Sequence, residues 1–146
     1  METINHEYFV SPEIAKLLKQ VGFDWEVNHY YFTQNGETEL KYNFKHPAQN
    51  YNESMATMDS MSFEFEVCSC PTLEVAQRWL REVKDILLYI TPKRVNMEWK
   101  WNFWCIDLRD KTNIEQRYST KVFNTYEESQ ESGIKKALKL ILEEGE

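Results

Sequence analysis

Apolar side chains recur every three or four positions in three segments of the chain, which is the spacing of an amphipathic helix. The first predicted helix covers about 12–21, the second begins at Thr72, and the third continues from Thr125 to about 142. Ser11 before Pro12 is typical of a helix N-terminus, and Gly22 supplies a left-handed stop. The hydrophobic pattern therefore predicts three helices, at the start, middle and end of the chain.

Strict alternation of apolar and polar residues predicts strands between these helices. Asn35-Gly36 favours a two-residue hairpin turn between alternating runs over 25–44. With that turn the numbers of opposed residues sum to 71, so Val27 faces Phe44, His29 faces Tyr42 and Tyr31 faces Leu40. These three pairs lie on one face of the hairpin, while the other face pairs Glu26 with Lys45 and Tyr30 with Lys41 and is mixed and wettable. A third strand ends at about Val67.

Three further strands are predicted after the second helix. They cover about 86–91, 95–108 and 116–123, with Pro92-Lys93 as the turn between the first two. The element order is then α-β-β-β-α-β-β-β-α, with short connections that favour antiparallel neighbours. We therefore expect an α+β fold, a mainly antiparallel sheet with three helices. The order also suggests two α-β-β-β repeats followed by a closing helix.

The size of the chain predicts a single domain over residues 1–146. Residues 45–61 are rich in Asn, Gln, Ser and Met without a period, which is typical of a mobile loop. The composition, 42% hydrophobic and 14% aromatic with four Gly and four Pro, excludes collagen-like and disordered chains.

Charge and cysteine content narrow the choice of partners. The net charge is −7, and residues 1–70, with four Lys against eleven acidic residues, account for all of it. An acidic protein is a poor general ligand for nucleic acid. The longest apolar run has five residues, so no membrane partner is expected. Without a secretory leader and with three cysteines, we expect a cytoplasmic protein with free thiols.

The predicted long strand over 95–108 is unusual because both of its faces carry large apolar residues. One face is apolar along its whole length and can be covered by two helices. The other changes from polar residues to Trp104, Ile106 and Leu108. The N-terminal half, a ligand or a partner must cover this end. We expect Trp104, Ile106 and Leu108 to contact a protein partner or a second copy of the chain.

Nucleic-acid binding is the alternative. From Pro71 onward the order α-β-β-β-α resembles that of double-stranded-RNA-binding domains, which place a basic cluster at the start of the last helix. Here Glu127 and Glu128 occupy that position. A nucleic-acid surface would instead combine aromatic stacking with basic residues nearby. The candidates are Arg78, Arg81, Lys93 and Arg94.

No catalytic motif is evident, so an enzyme of unknown class is the third and least favoured reading, and no cofactor is expected. His29 and Asp107 fit hydrogen-bonded structural roles. Cys68 and Cys70 have poor spacing for a zinc site, although Cys105 and a histidine could complete a ligand set, and redox sensing stays open. No catalytic, cofactor-binding or metal residue is therefore assigned.

Three segments of the chain carry a resemblance to a known family. They are VSPEIAKLLK at residues 10–19 with Gly22-Phe23, Cys70-Pro71-Thr72 leading to WLRE at 79–82, and FNTYEE at 123–128 with Ala137. Together they resemble a family of short proteins of unknown function from gut Bacteroidales and their prophages. The similarity spans most of the chain. It implies a bacterial cytosolic setting and a link to mobile elements, and it brings no activity or site. The sequence thus favours a small, non-catalytic binding or accessory protein.

Overall fold

The computed structural model describes residues 8–42, 47–54 and 65–144. The chain divides into two units, of which Phe9–Thr72 is the first and Leu73–Glu146 forms the main part of the second. Each unit contains a three-stranded antiparallel sheet. The three longer helices and six strands follow the predicted order, and the α+β class is confirmed. The strands form two sheets, and a one-turn helix is added.

The first unit begins with α1 (Pro12–Gln20), whose N-cap Ser11 accepts a hydrogen bond from the Ile14 N–H. A hairpin follows, made of β1 (His29–Gln34) and β2 (Glu37–Tyr42). It has the predicted register, with His29 opposite Tyr42 and Tyr31 opposite Leu40. The third predicted pair, Val27 with Phe44, is not tested because Phe44 lies outside the described residues. The Asn35-Gly36 turn was therefore sufficient to predict the register of this hairpin.

The segment predicted to be a mobile loop, residues 45–61, contains a short helix, α2 (Tyr51–Ser54). Tyr51 is buried, and its N–H donates to Ser69 Oγ at 3.0 Å. Ser69 ends β3 (Phe65–Ser69), which pairs with β1 and gives the sheet order β2-β1-β3. The rest of the predicted loop, residues 45, 46 and 55–61, lies outside the described residues. Residues 47–54 therefore pack on the sheet, an arrangement that their aperiodic sequence does not reveal.

The second unit has the element order predicted for it. It contains α3 (Leu73–Lys84), β4 (Ile86–Val95), β5 (Glu98–Asp107), β6 (Glu115–Tyr118) and α4 (Tyr126–Glu144). The sheet order is β4-β5-β6, so the tryptophan-rich β5 is the central strand, as expected. α4 packs on β4 and β5, and α3 packs on β4 and α4. Of the two helices predicted to cover one face of the long strand, α4 packs directly on β5, while α3 packs on the neighbouring β4.

The turn before β5 was predicted at the wrong place. Pro92 and Lys93 lie within β4, with Pro92 opposite Trp101, and the chain reverses at Asn96-Met97. Proline is tolerated there because β4 is an edge strand. The final strand is also shorter than predicted, since β6 ends at Tyr118 and Phe123 joins the sheet only through an isolated bridge to Trp101.

The buried stripes of two helices differ in detail from those that the spacing of apolar residues predicts. For α3 the spacing predicts an inward stripe of Leu73, Ala76, Leu80, Val83 and Leu87, flanked by Trp79. In the structure Trp79 is completely buried and Val83 is exposed. The stripe stops before Leu87, because α3 ends at Lys84 and Asp85, at φ 58°, turns the chain into β4. The same spacing places Tyr126 on the inward side of α4, but Tyr126 is exposed.

The two α-β-β-β segments are not a topological repeat. In the first unit the first strand lies at the centre of the sheet, whereas in the second unit the middle strand does. An internal duplication would keep the same strand at the centre in both copies. The similar element order therefore does not reflect a repeated fold.

Gly133 allows α4 to approach the second sheet closely. A Cβ atom at this position would lie 3.2 Å from Cγ of Phe103 and 3.3 Å from Cδ2 of Leu88. We expect Gly133→Ala to lower the free energy of unfolding by about 1 kcal/mol. Overpacking costs about 2 kcal/mol and the better helix propensity of alanine returns about 1 kcal/mol. Urea unfolding measures this change, with Lys136→Ala, on the exposed side of α4, as the matched control. A more stable Gly133→Ala variant would contradict the close packing.

Candidate functional site

The two faces of the second sheet have different surroundings. Phe103 and Leu88 contact Gly133 of α4, so their side chains point toward the helices. Because side chains alternate along a strand, the residues next to them in sequence point to the opposite side. We call this opposite side the helix-free face, since neither α3 nor α4 packs on it.

Strand pairing arranges the helix-free face in rows. The rows are Leu87, Ile106 and Gln116; Tyr89, Trp104 and Tyr118; Thr91 and Asn102; Lys93 and Lys100. The face is therefore aliphatic at one end, aromatic in the middle and basic at the other end. In the aromatic row, the rings of Trp104 and Tyr118 have centroids 4.5 Å apart. Tyr89 is 52% exposed and Tyr118 is 40% exposed.

A buried amide fixes the aromatic row. Asn102 is almost completely buried in the central strand. Its Nδ2 donates to the Tyr118 hydroxyl, and its Oδ1 accepts from the Thr91 hydroxyl. These bonds satisfy both ends of the amide and tie the ring of Tyr118 to the sheet. The aromatic row is thus held in place before any partner binds.

The predicted contact residues lie on or beside this face. Trp104 and Ile106 belong to its central column, and all three predicted residues, including Leu108, are half-buried. Leu108 follows β5, and its N–H donates to the carbonyl oxygen of Asp85. None of the three is fully buried, so their role in a contact stays a prediction.

Tyr89 and Tyr118 extend the surface beyond the predicted residues. The predicted turn at Pro92-Lys93 gave β4 a different register, which did not pair Tyr89 with Trp104. A turn at Asn96-Met97 makes opposed numbers in β4 and β5 sum to 193, and it brings these two residues together. The left-handed tendency of Asn96 was the available signal.

The basic residues proposed for nucleic-acid binding are divided among different places. Arg78 and Arg81 line an open groove of about 350 Å³ between α3 and α4, which contains neither Lys93 nor Arg94. Arg78 also forms an ion pair with Glu82 at 3.1 Å. As neighbours in β4, Lys93 and Arg94 point to opposite faces of the sheet.

The residues that line the groove between α3 and α4 have mixed charge. They are Glu74, Val75, Gln77, Arg78, Arg81, Tyr126 and Gln130. Gln130 donates to Gln77 at 2.8 Å, and Gln77 donates to the carbonyl oxygen of Leu88 at 3.0 Å. These bonds link the two helices to the sheet. The groove is thus partly a product of helix packing. The first turn of α4 carries Glu127 and Glu128, whose negative charge does not favour phosphate at this helix N-terminus.

Asp107 has the structural role that its place near a turn indicates. Its carboxylate accepts hydrogen bonds from the Arg109 side chain at 2.9 and 2.7 Å and from the Arg109 N–H at 3.0 Å. The bond from the Arg109 side chain holds the pKa of the carboxyl below its ordinary value. A paired carboxylate of this kind is a poor general base at neutral pH.

His29 lies between aromatic rings in the first unit. Its ring centroid is 4.4 Å from that of Phe9 and 4.7 Å from that of Tyr42. These ring contacts give His29 a packing role in the first unit.

The three cysteines are buried thiols. Burial is the main cause that raises the pKa of Cys68 and of Cys105 to about 11 and that of Cys70 to about 12. A thiol with such a pKa is protonated and unreactive at neutral pH. In the described part of the chain, no group of three or more His, Cys, Asp or Glu side chains could hold a metal ion. None of the helices in residues 8–42, 47–54 and 65–144 is long and apolar enough to cross a membrane.

The pair of Asp107 and Arg109 generates a pH-dependent prediction. Arg109→Gln should lower the free energy of unfolding by about 2 kcal/mol at neutral pH, because it removes charged hydrogen bonds from a nearly buried carboxylate. The pair stabilises the fold fully above the unfolded pKa of 3.8, and this contribution is lost as the pH falls through the lower folded pKa. Urea unfolding at a series of pH values should therefore show the two proteins converging in acid. Lys111→Gln, on the same loop, is the control. A difference that does not depend on pH would refute the ionic role.

The cysteines generate a second prediction. In the native protein at pH 8, all three thiols should react with a disulfide reagent at least about 100-fold more slowly than after denaturation, since only about one in a thousand is ionised at a pKa near 11. Absorbance of the released thiolate measures the rate. A thiol that reacts rapidly in the folded protein would point to redox chemistry.

Comparisons with known proteins give no assignment. No family model matches the chain, no curated protein matches it, and no solved structure matches it. The resemblance to short Bacteroidales proteins thus stays a prediction. The surfaces of the protein itself are the remaining indication of its function.

Proposed function

We propose that the protein is a non-catalytic binding module that holds a segment of a protein partner on the helix-free face of its second sheet. The single observation that carries this proposal is the aromatic row of Tyr89, Trp104 and Tyr118, which is ordered by Asn102 and partly open to solvent. Exposed aromatic residues held on a rigid sheet lose little entropy on binding and bury much apolar area.

The dimensions of the face favour a small occupant. Three strands are about 14 Å across, and the seven residues from Leu87 to Lys93 span about 20 Å. The resulting area, about 300 Å², is well below the 800 Å² or so that each partner buries in a stable protein interface. A second copy of the chain would therefore gain too little from this face alone. An amphipathic helix of about 13 residues, with a diameter near 10 Å, fits it.

Nucleic-acid binding has less support. It needs several cations on one surface to contact phosphates. Arg78 and Arg81 line the groove between the helices, while Lys93 and Arg94 point to opposite faces of β4. Catalysis also has little support, because His29, Asp107 and the cysteines have structural surroundings.

The experiment is a selection of random peptides displayed on phage against the wild-type protein. We expect enriched sequences with apolar residues at helical spacing. The affinity of a selected peptide, measured by fluorescence anisotropy, should fall about 30-fold in Tyr89→Ala, as for a central aromatic contact. Val83→Ala, an exposed apolar residue on α3, should bind like the wild type.

Two outcomes would contradict the proposal. One is a selection that enriches no peptide, or only peptides that bind Tyr89→Ala equally well. The other is a stable dimer in sedimentation equilibrium that Tyr89→Ala dissociates, because the face would then serve self-association. Circular dichroism of each variant shows whether it is folded.

A further inference from the structure

The turn between β4 and β5 has an unfavourable residue for its conformation. Two turns of this kind occur among the residues that the structure describes, and their four central residues all have positive φ: 55° and 78° at Asn35-Gly36, 50° and 71° at Asn96-Met97. Glycine is favoured at the second position because it has no Cβ. Met97 occupies that position in the second turn and is 81% exposed. The backbone of Met97 is therefore in a conformation that is unfavourable for a residue with a side chain, and the fold does not bury that side chain.

Trp99 is also left uncovered at this end of the hairpin. On the helix side of β5, Phe103 packs against Gly133, and Trp101 contacts Tyr126, the first residue of α4, with ring centroids 5.4 Å apart. Trp99 lies two residues further, about 7 Å beyond Trp101. It is 61% exposed. The hairpin therefore extends past the start of α4 and ends in two large apolar side chains.

Cations surround this apolar end on both sides. Lys93 and Lys100 are opposite each other on the helix-free face, and Arg94 is on the other face, with its guanidinium 5.6 Å from the centre of the Trp99 ring. Glu98 is the single acid within residues 93–100 and forms an ion pair with Lys100 at 3.3 Å. A ligand that binds one face of the sheet would reach the cations of that face only. A negatively charged surface that meets the tip of the hairpin would lie near the cations of both faces.

We propose that the hairpin tip, residues 93–100, inserts into the surface of an anionic lipid bilayer. Met97 enters the acyl boundary, and Trp99 lies at the level of the headgroups, where indole rings are favoured. Lys93 and Arg94, one on each face of the hairpin, contact lipid phosphates around the tip, while Lys100 keeps its bonds to Glu98 and Asn124. The expectation of no membrane partner rests on the absence of a long apolar run, which surface insertion does not need.

Co-sedimentation of the full chain with vesicles tests this proposal. The probes are vesicles of phosphatidylcholine alone and of equal parts phosphatidylcholine and phosphatidylglycerol. We expect binding to the anionic vesicles only, and weaker binding as salt is raised. Met97→Gly should reduce the partition coefficient about tenfold, because it removes an apolar side chain from the inserted tip. Its unfolding midpoint should be unchanged or higher, since glycine relieves the positive φ. The loss of binding then cannot be caused by misfolding.

Ile114→Ser is the control, because Ile114 is also an exposed apolar residue and lies in the loop at the opposite end of β5. This variant should bind vesicles like the wild type. The proposal is overturned if the wild type binds neither kind of vesicle, if Met97→Gly binds unchanged, or if Ile114→Ser loses binding equally. It is also overturned if Met97→Gly and Arg94→Glu weaken binding to a labelled single-stranded oligonucleotide while vesicles are not bound, which would assign the tip to nucleic acid. Peptide binding at Tyr89 is independent of all these results.

Discussion

The central strand of the second unit carries large apolar residues on both faces, and α4 packs on only one of them. Burial of Phe103 and Cys105 under α4 removes the apolar surface of the helix side from water. Gly133 favours this close approach, since a Cβ at its position would lie only 3.2 Å from the Phe103 ring. The same strand geometry places Trp104 and Ile106 on the opposite side. The packing that stabilises one face thus determines which residues are presented on the other.

The helix-free face combines order with exposure. Asn102 is a buried polar residue in a central strand, a position that would be costly without its two hydrogen bonds. With them it specifies the position of the Tyr118 ring next to Trp104. An aromatic surface that is already ordered needs little rearrangement to bind. This property supports the proposal of a docking face more strongly than exposed area alone.

Most of the fold could be predicted where the controlling signal is local. The Ser11 cap and the Asn35-Gly36 turn each act over a few residues, and both have the predicted structure. The turn of the second hairpin was predicted at the wrong place because Pro92 and Lys93 are typical turn residues. The actual turn places Met97 at a position where glycine is favoured. A strained turn cannot be found from preferences that it violates. The burial of Trp79 and the division into two sheets depend on contacts that are distant in sequence.

The candidate site could be predicted only in part for the same reason. Alternation along β5 was sufficient to place Trp104 and Ile106 on a separate face. Tyr89 and Tyr118 come from other strands, so their place beside Trp104 depends on register, which required the correct turn. The basic residues proposed for nucleic-acid binding could not be placed from the sequence. Arg78 and Arg94 were expected on one surface, yet the fold places Arg78 in the groove between the helices and Arg94 on the hairpin.

Solvent access to the aromatic row decides whether the helix-free face is open to a partner. In an NMR measurement with a water-soluble gadolinium chelate, proton relaxation is enhanced for side chains that the chelate can approach. We expect strong enhancement at the ring of Tyr89 and at that of Tyr118, and almost none at Phe103, on the other face of the same sheet. Equal protection of Tyr89 and Phe103 would contradict this expectation, because both faces of the sheet would then be covered and no surface would be left for a partner.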